Sequence, residues 1–479
     1  MIKKTSVFTC KLASAILLTS MFTVPALAKE SLSAQINKII PISSQTAVWV
    51  QEIASNTQSH SSVLFKKNTR QYFLPASTMK LLTAVAANSY FGADFTFKTV
   101  IYSNAPIIQG KLNGDLFIAF DGDPSLTQQD VYLLFEAVKK MGLTTITGDV
   151  YLVSKDENKN NWRAPGWSWE DLPLCYAAPL SQYSIDQNCI KAQLTPNKAI
   201  AAAQLHLEQV IPVNITSNAI YTPNNKDCDL ELIPLPDNQF HLTGCFSKPN
   251  GLKLQIAITD PKRYAEQVLA QVMSSLGIEL KGQFIQKETH IQPLQPLATH
   301  SSAPLSQLLD IMLSDSNNFI ADSLVKKMGQ KYDGQDLFKQ GIKALKAELR
   351  FLGIDLSQAT IIDGSGLSRY TLITASQLAS VLQLIATDHR FQYLIQALPI
   401  SGIRGTLQHR QGFNLKRLKG RVIAKTGTLK GVDNLAGFIN TQSGKQFLFV
   451  SLENGISPPS KQNKRPAFNV RLTELLAAQ

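Results

Sequence analysis

The sequence has 479 residues, 44% hydrophobic and 17% charged, a globular composition that excludes a long disordered chain. It is too long for one ordinary core, so two or three domains are expected. The formal charge of +12 does not require nucleic acid; in an exported chain it fits weak attraction to an anionic membrane surface or acidic polymer, or simply a solvated basic surface.

The first 28 residues read as a secretory signal peptide. Lys3, Lys4 and Lys11 form a positive start, an apolar stretch runs through Ala13–Leu18 to Val24, and Ala26-Leu27-Ala28 is a small-x-small cleavage signature. The apolar core is shorter than the roughly 20 residues of a spanning helix, and no second spanning segment follows. Export to the periplasm is expected, with at most peripheral membrane association. Of five cysteines, Cys10 lies in the leader, leaving Cys175, Cys189, Cys228 and Cys245. An even count in an oxidising compartment suggests two disulfides. Three pairings are possible, and the short-loop one, Cys175–Cys189 with Cys228–Cys245, is the expected one. A zinc site lacks its CxxC spacing.

After the leader, Ala47–Val50 and Ser62–Phe65 have strand character. Pro75-Ala76 is a turn, and a helix is predicted from near Ser77, with Met79, Leu81, Leu82, Val85 and Ala86 on its apolar face. Beyond Phe97 strand and turn signals dominate. Leu112-Asn113-Gly114-Asp115 resembles a hairpin turn. Strands are predicted at Leu116–Phe120, Asp149–Val153, Leu205–Val213 and Leu252–Ile258, with a helix at Gln128–Met141. From about Pro304 helical spacing returns at Leu305–Leu313, Phe319–Lys327, Leu337–Phe351 and Ala375–Ile385. Strands at Arg421–Ala424, Asn434–Ile439 and Gln446–Ser451 and a helix at Pro466–Leu476 end the chain.

Three motifs carry chemistry. In Ser77-Thr78-Met79-Lys80 the lysine lies three residues from the serine on one helix face, within reach of its hydroxyl. A serine is a weak nucleophile until a base takes its proton, and a lysine held away from water beside another cation is such a base. S-x-x-K alone is expected about twice by chance in this length, and Ser323-Leu324-Val325-Lys326 is a second match, read as ordinary helix surface. Ser316-Asn317-Asn318, between two predicted helices, offers a proton-relaying hydroxyl and a carbonyl-binding amide, or else only a helix cap. Lys425-Thr426-Gly427-Thr428, at the end of a predicted strand, offers a cation, two hydroxyls for a carboxylate, and a glycine that permits close approach.

The order S-x-x-K, S-x-N, K-T-G resembles the constellation of penicillin-binding proteins and class A β-lactamases. The two serines are 239 positions apart. That long insert is similar to the penicillin-binding protein 4 family, the D-alanyl-D-alanine carboxypeptidase/endopeptidases. So are Pro75–Lys80, Asp121–Pro124, Asp186–Cys189, Ser316–Asn318, Asp363–Ser368 and Lys425–Thr428. The resemblance implies an α/β (α+β) serine β-lactamase/DD-peptidase-like catalytic domain, residues 29–97 plus 292–479. A strand-rich insert at 98–291 would form two subdomains.

It also implies an acyl-enzyme on Ser77 activated by Lys80, with Ser316 shuttling a proton to the leaving amine. Asn318 would bind substrate, and Lys425, Thr426, Gly427 and Thr428 would hold the terminal carboxylate. The N–H groups of Ser77 and Thr428 would form the oxyanion hole. Water deacylates, and no metal or organic cofactor is needed. Asp186, in the insert, is a candidate to bind the free amine of a diaminopimelate side chain. The expected partners are peptidoglycan stem peptides and β-lactams, not nucleic acid. The rivals are a β-lactamase, disfavoured by the size, the insert and the lack of an assignable deacylating Glu, and a non-catalytic wall scaffold, against which the three intact motifs argue.

Overall fold

The segments 432–440 and 446–454 are almost continuously apolar because both of their faces are covered. Along Gln446–Asn454, Phe447 and Phe449 point into one core, while Leu448, Val450 and Leu452 point into another. Val432–Asn440 alternates in the same way, with Leu435 and Ile439 on one side and Ala436 and Phe438 on the other. The computed structural model describes residues 1–2, 5–6, 30–53, 61–154, 159–197, 203–225, 227–287, 295–332, 336–457 and 467–479. Most of the expected leader, Cys10 included, lies outside the described residues.

These two strands belong to a five-stranded antiparallel sheet ordered Val63–Lys67, Gln45–Glu52, Gln446–Asn454, Val432–Asn440, Val422–Leu429. Terminal helices Leu32–Ile39 and Phe468–Ala477 cover one face. The other packs on a larger core built from helices Lys80–Phe91, Leu305–Ser314, Asn318–Gly329, Leu337–Phe351 and Ala375–Thr387. Val422–Leu429 is the edge strand, and it contains Lys425–Thr428 instead of stopping before them as the sequence suggested.

Residues between Lys98 and Ser301 build separate sheets. A mixed five-stranded sheet is ordered Phe284–Lys287, Val150–Val153, Leu116–Ala119, Lys98–Ser103, Gln295–Ser301. Helices Gln128–Lys140 and Pro261–Ser275 share its core, with Phe135, Val138, Val268 and Leu269 buried. Strands Cys189–Pro196, Ala203–Leu207 and Leu252–Ala257, and a second group around Gln239–Phe246, enclose a smaller core of Leu194, Ala219, Leu242 and Phe246. Disulfides Cys175–Cys189 and Cys228–Cys245 are both formed in this region.

The structure corrects several local readings. The turn Leu112–Asp115 is not a hairpin: Lys111–Leu112 and Leu116–Ala119 join different sheets. The strand expected at Leu205–Val213 ends at Leu207. Helices Leu32–Ile39, Pro261–Ser275 and Tyr393–Ala397 were not anticipated. Pro261–Ser275 was legible: Asp260 caps it with its side chain, Pro stands at the first position, and Tyr264, Ala265, Val268, Leu269, Val272 and Met273 form an unbroken apolar face at helical spacing.

Candidate active site

The turn Pro75-Ala76 leads into a 3-10 turn, Ala76–Met79, before the α-helix starts at Lys80. Ala76 sits at φ 47°, a left-handed conformation uncommon for a residue with a Cβ. Thr78 Oγ1 donates to Pro75 O at 2.7 Å, and Asn434 Nδ2, from the sheet, donates to Pro75 O at 2.9 Å. The turn carrying Ser77 is thereby pinned to the strand next to the edge strand, Val432–Asn440.

Lys80 is fully buried, and its ammonium has three neighbours: Ser77 Oγ at 2.9 Å, Asn318 Oδ1 at 2.6 Å and Ser365 O at 2.9 Å. Burial lowers its pKa to about 8, with Asp322 and Asp363 acting in the opposite direction. A lysine so placed loses its proton near physiological pH and can accept the serine's.

Ser316 lies in the short link between Leu305–Ser314 and Asn318–Gly329, at φ 62°. The capping role of this motif falls to the middle residue, Asn317, whose side chain accepts from Ile320 N. Ser316 and Asn318 are left for other work. Ser316 Oγ accepts from Lys425 Nζ at 2.9 Å. Asn318 uses its oxygen for Lys80 and one N–H for Tyr176 O at 2.8 Å, and an amide carries a second N–H. Lys425 is fully buried, and burial lowers its pKa well below the usual lysine value, assisted by Lys80 and Arg410. Thr426 Oγ1 lies 2.8 Å from Thr406 Oγ1, and Thr428 is exposed on the edge strand.

The segment Asp363–Ser368 forms the back wall. Asp322 Oδ1 accepts from Gly364 N and Ser365 N at 2.7 and 2.9 Å, which aims Ser365 O at Lys80. Asp363 accepts from Gly366 N, Ser368 N and Trp167 Nε1 of the insert, at 2.9, 2.6 and 2.9 Å. Burial raises both aspartates' pKa. Sequence reasoning missed Asp322, although it lies four residues beyond Asn318 on the same helix face. Gly366, at φ 79°, packs so closely that an added Cβ would come within 1.9 Å of Ala76 O. Gly366→Ala should therefore displace the Ser77 turn. We expect a loss of roughly 2–4 kcal/mol in stability, read as a lower urea midpoint, together with slower acylation by a labelled penicillin.

Ser77, Ser316 and Thr428 face a common cleft. One arm is lined by Glu170 and Asp171 from the insert and by Arg369 and Lys430; Asp171 accepts from Tyr176 Oη at 2.7 Å. Asp186 is not among the lining residues. Its carboxylate is held by Gln128 Nε2 at 3.0 Å, with Gln209 Nε2 at 3.4 Å and Tyr264 Oη at 3.5 Å, at the start of helix Gln128–Lys140. Its neighbour Gln187 does reach the cleft motif, accepting from Asn317 Nδ2 at 2.9 Å. Thus the structure brings together every predicted site residue except Asp186, and it offers Glu170 and Asp171 as the insert's carboxylates. Asp121 and Asp123, of the predicted turn, pair with Lys327 and His300.

The second S-x-x-K match is not surface. Ser323 and Lys326 are buried, and Lys326 donates to Asn161 O and Leu180 O at 3.0 and 2.7 Å, fastening the insert to the helix. Neither residue lines the cleft.

Comparison with known proteins agrees with this geometry. The family model for "D-Ala-D-Ala carboxypeptidase 3 (S13) family" matches residues 28–475. D-alanyl-D-alanine carboxypeptidase DacB of Haemophilus influenzae is 34% identical over 96% of this chain and 96% of its own. The D-alanyl-D-alanine carboxypeptidase of Actinomadura sp. (strain R39) is 30% identical over 87% of this chain and 80% of its own. The crystal structure of penicillin binding protein 4 from H. influenzae superimposes with a TM-score of 0.82 at 33% identity, covering 92% of this chain and 98% of that one. It has also been solved complexed with a β-lactam.

Proposed function

Because the chain belongs to the D-Ala-D-Ala carboxypeptidase 3 (S13) family and is a serine hydrolase of D-alanyl peptides, we propose that it cleaves peptidoglycan stem peptides through an acyl-enzyme on Ser77, acting as carboxypeptidase and as cross-link endopeptidase. The observation that carries this reading is the 2.9 Å contact of Lys80 Nζ with Ser77 Oγ, at the floor of a cleft shared with Ser316 and Thr428.

In this reading neutral Lys80 takes the Ser77 proton as Oγ attacks the carbonyl carbon of a D-alanyl residue. The N–H groups of Ser77 and Thr428 stabilise the oxyanion. As the C–N bond breaks, Ser316 passes a proton to the departing amine, and the Lys425 contact supports that transfer with its field. Thr426 and Thr428 hold the carboxylate of the leaving residue, and the remaining N–H of Asn318 holds the acyl-side peptide. Water then releases the acyl group. Glu170 and Asp171, together with Arg369 and Lys430, give this arm of the cleft both charges that a side chain bearing an amine and a carboxylate, such as diaminopimelate, would need. This replaces the role first considered for Asp186.

The same reading divides the chain into a signal peptide at 1–28, a discontinuous catalytic domain, and an insert that begins at residue 98; the boundary expected at 291 moves to beyond Ser301, because Gln295–Ser301 pairs with Lys98–Ser103 in the insert's sheet. It places the protein in the periplasm. Mass spectrometry of products from native muropeptides tests it. Loss of a terminal alanine and scission of the cross-link give different masses. If the purified protein yields neither, the proposal fails. If a labelled penicillin is turned over rapidly instead of staying bound, the β-lactamase alternative gains.

A further inference from the structure

The cleft has two arms that meet at Ser77, Ser316 and Thr428. The first, described above, contains Asn318 and the charged residues named there. The second is a trough of about 640 Å³ bounded by Gly405, Thr406, His409, Arg410 and Thr426. Thr426 borders only this arm, and Asn318 borders only the other. If Thr426 and Thr428 hold the carboxylate of the leaving residue, the trough lies on the side from which the amine departs.

A lone alanine needs little of this space, because cavities of ~300–1,000 Å³ accommodate drug-sized ligands. Among the described residues, the trough's lining includes an arginine and an imidazole, Arg410 and His409, and no carboxylate. The Arg410 guanidinium is fixed by Asp433 and lies over the Phe413 ring, 5.6 Å from its centroid. His409 is exposed beside it. The Thr406–Thr426 hydroxyl contact, 2.8 Å, joins the trough wall to the carboxylate site. The neutral wall near the serine and the basic rim beyond it suit a peptide that continues outward from the leaving residue and carries further carboxylates.

We infer that this trough seats the leaving strand of a cross-link, an acidic peptide on the amine side of the scissile bond, and that His409 and Arg410 tune selectivity between cross-linked and terminal substrates. The inference rests on the Ser77 reading above. In the step concerned the acyl carbon passes from nitrogen to Ser77 Oγ. The nitrogen takes up the relayed proton, and the freed amine stays briefly in the trough as part of its own peptide.

The test compares kcat/KM for a cross-linked muropeptide dimer with that for a monomeric pentapeptide, in the wild type and in His409→Glu and His409→Lys. A carboxylate on the rim repels an acidic leaving strand, so the dimer-to-monomer ratio should fall about tenfold in His409→Glu and hold or rise in His409→Lys. Because His409 is exposed, folding should survive both changes, and labelling by penicillin checks this. A ratio that does not change in His409→Glu overturns the inference. So does a wild type that trims the monomer but leaves the dimer intact. Absence of penicillin labelling together with absence of both cleavages would instead overturn the Ser77 reading.

Discussion

Ser77→Ala should lower kcat/KM toward a D-alanyl-D-alanine peptide by at least about 10⁴-fold and eliminate the covalent penicillin adduct seen by intact-mass measurement. Removing the hydroxyl deletes the group that lies 2.9 Å from Lys80 Nζ in the cleft that Ser77 shares with Thr428 of the edge strand. The turn itself should stay in place, since Thr78, Asn434 and Gly366 hold it without using the Ser77 side chain. The variant should therefore fold and still bind substrate. Normal acylation of Ser77→Ala would refute the assignment.

The second large effect concerns Lys80. Lys80→Met, which keeps most of the buried volume, should cost ~10²–10⁴-fold in acylation rate, the usual contribution of a positioned base. In the wild type the base works only when neutral. With its pKa lowered to about 8, activity should rise with pH, about tenfold per unit well below pH 8, and level off above it. Asp322 adjusts that limb. Burial raises its own pKa to about 8, so it titrates together with Lys80; where Asp322 is ionised it favours protonated Lys80, and Asp322→Asn should lower the Lys80 pKa further and move the acidic limb to lower pH. Asn can keep the carbonyl that accepts from Gly364 and Ser365, so a purely structural role for Asp322 predicts no displacement of the limb. A pH–rate profile of penicillin acylation decides between the two.

Much of this site was legible in the sequence, because each motif is local and its spacing is set by one element. Ser77 and Lys80 are three residues apart at the start of a helix, and Lys425–Thr428 lies in one strand. Chain order among the motifs supplied what no single motif could. The illegible part consists of groups joined only by folding. Asp363–Ser368 was visible as a matching stretch, but its partners were not: the loop 42 residues beyond Asp322 turns its amides back to Asp322 and the Ser365 carbonyl to Lys80. Asp186 shows the converse. Its neighbourhood resembles the family pattern, yet it occupies a left-handed backbone conformation with its carboxylate turned toward Gln128, away from the cleft. Lys326 failed as a surface residue for a similar reason, since its backbone-carbonyl partners come from a segment about 150 residues earlier. In the sheets, strands with two covered faces were easily recognised, whereas a two-residue strand such as Lys111–Leu112 is too short to show a pattern, although it pairs with Ile107–Ile108 beside it as well as with the distant Thr145–Ile146.

The central sheet pairs Gln45–Glu52 with Gln446–Asn454, so the strand next to the chain's beginning is completed by one near its end. Contacts of such long sequence separation form slowly, because a large loop must close before they return any energy. During synthesis the insert's last strand, Gln295–Ser301, emerges about 120 residues before the edge strand with Lys425 can be seated. Ser77 and Lys80 emerge early, but the cleft around them does not exist until Val422–Leu429 docks. Completion of the catalytic cleft is thereby delayed in a half-made molecule by topology alone.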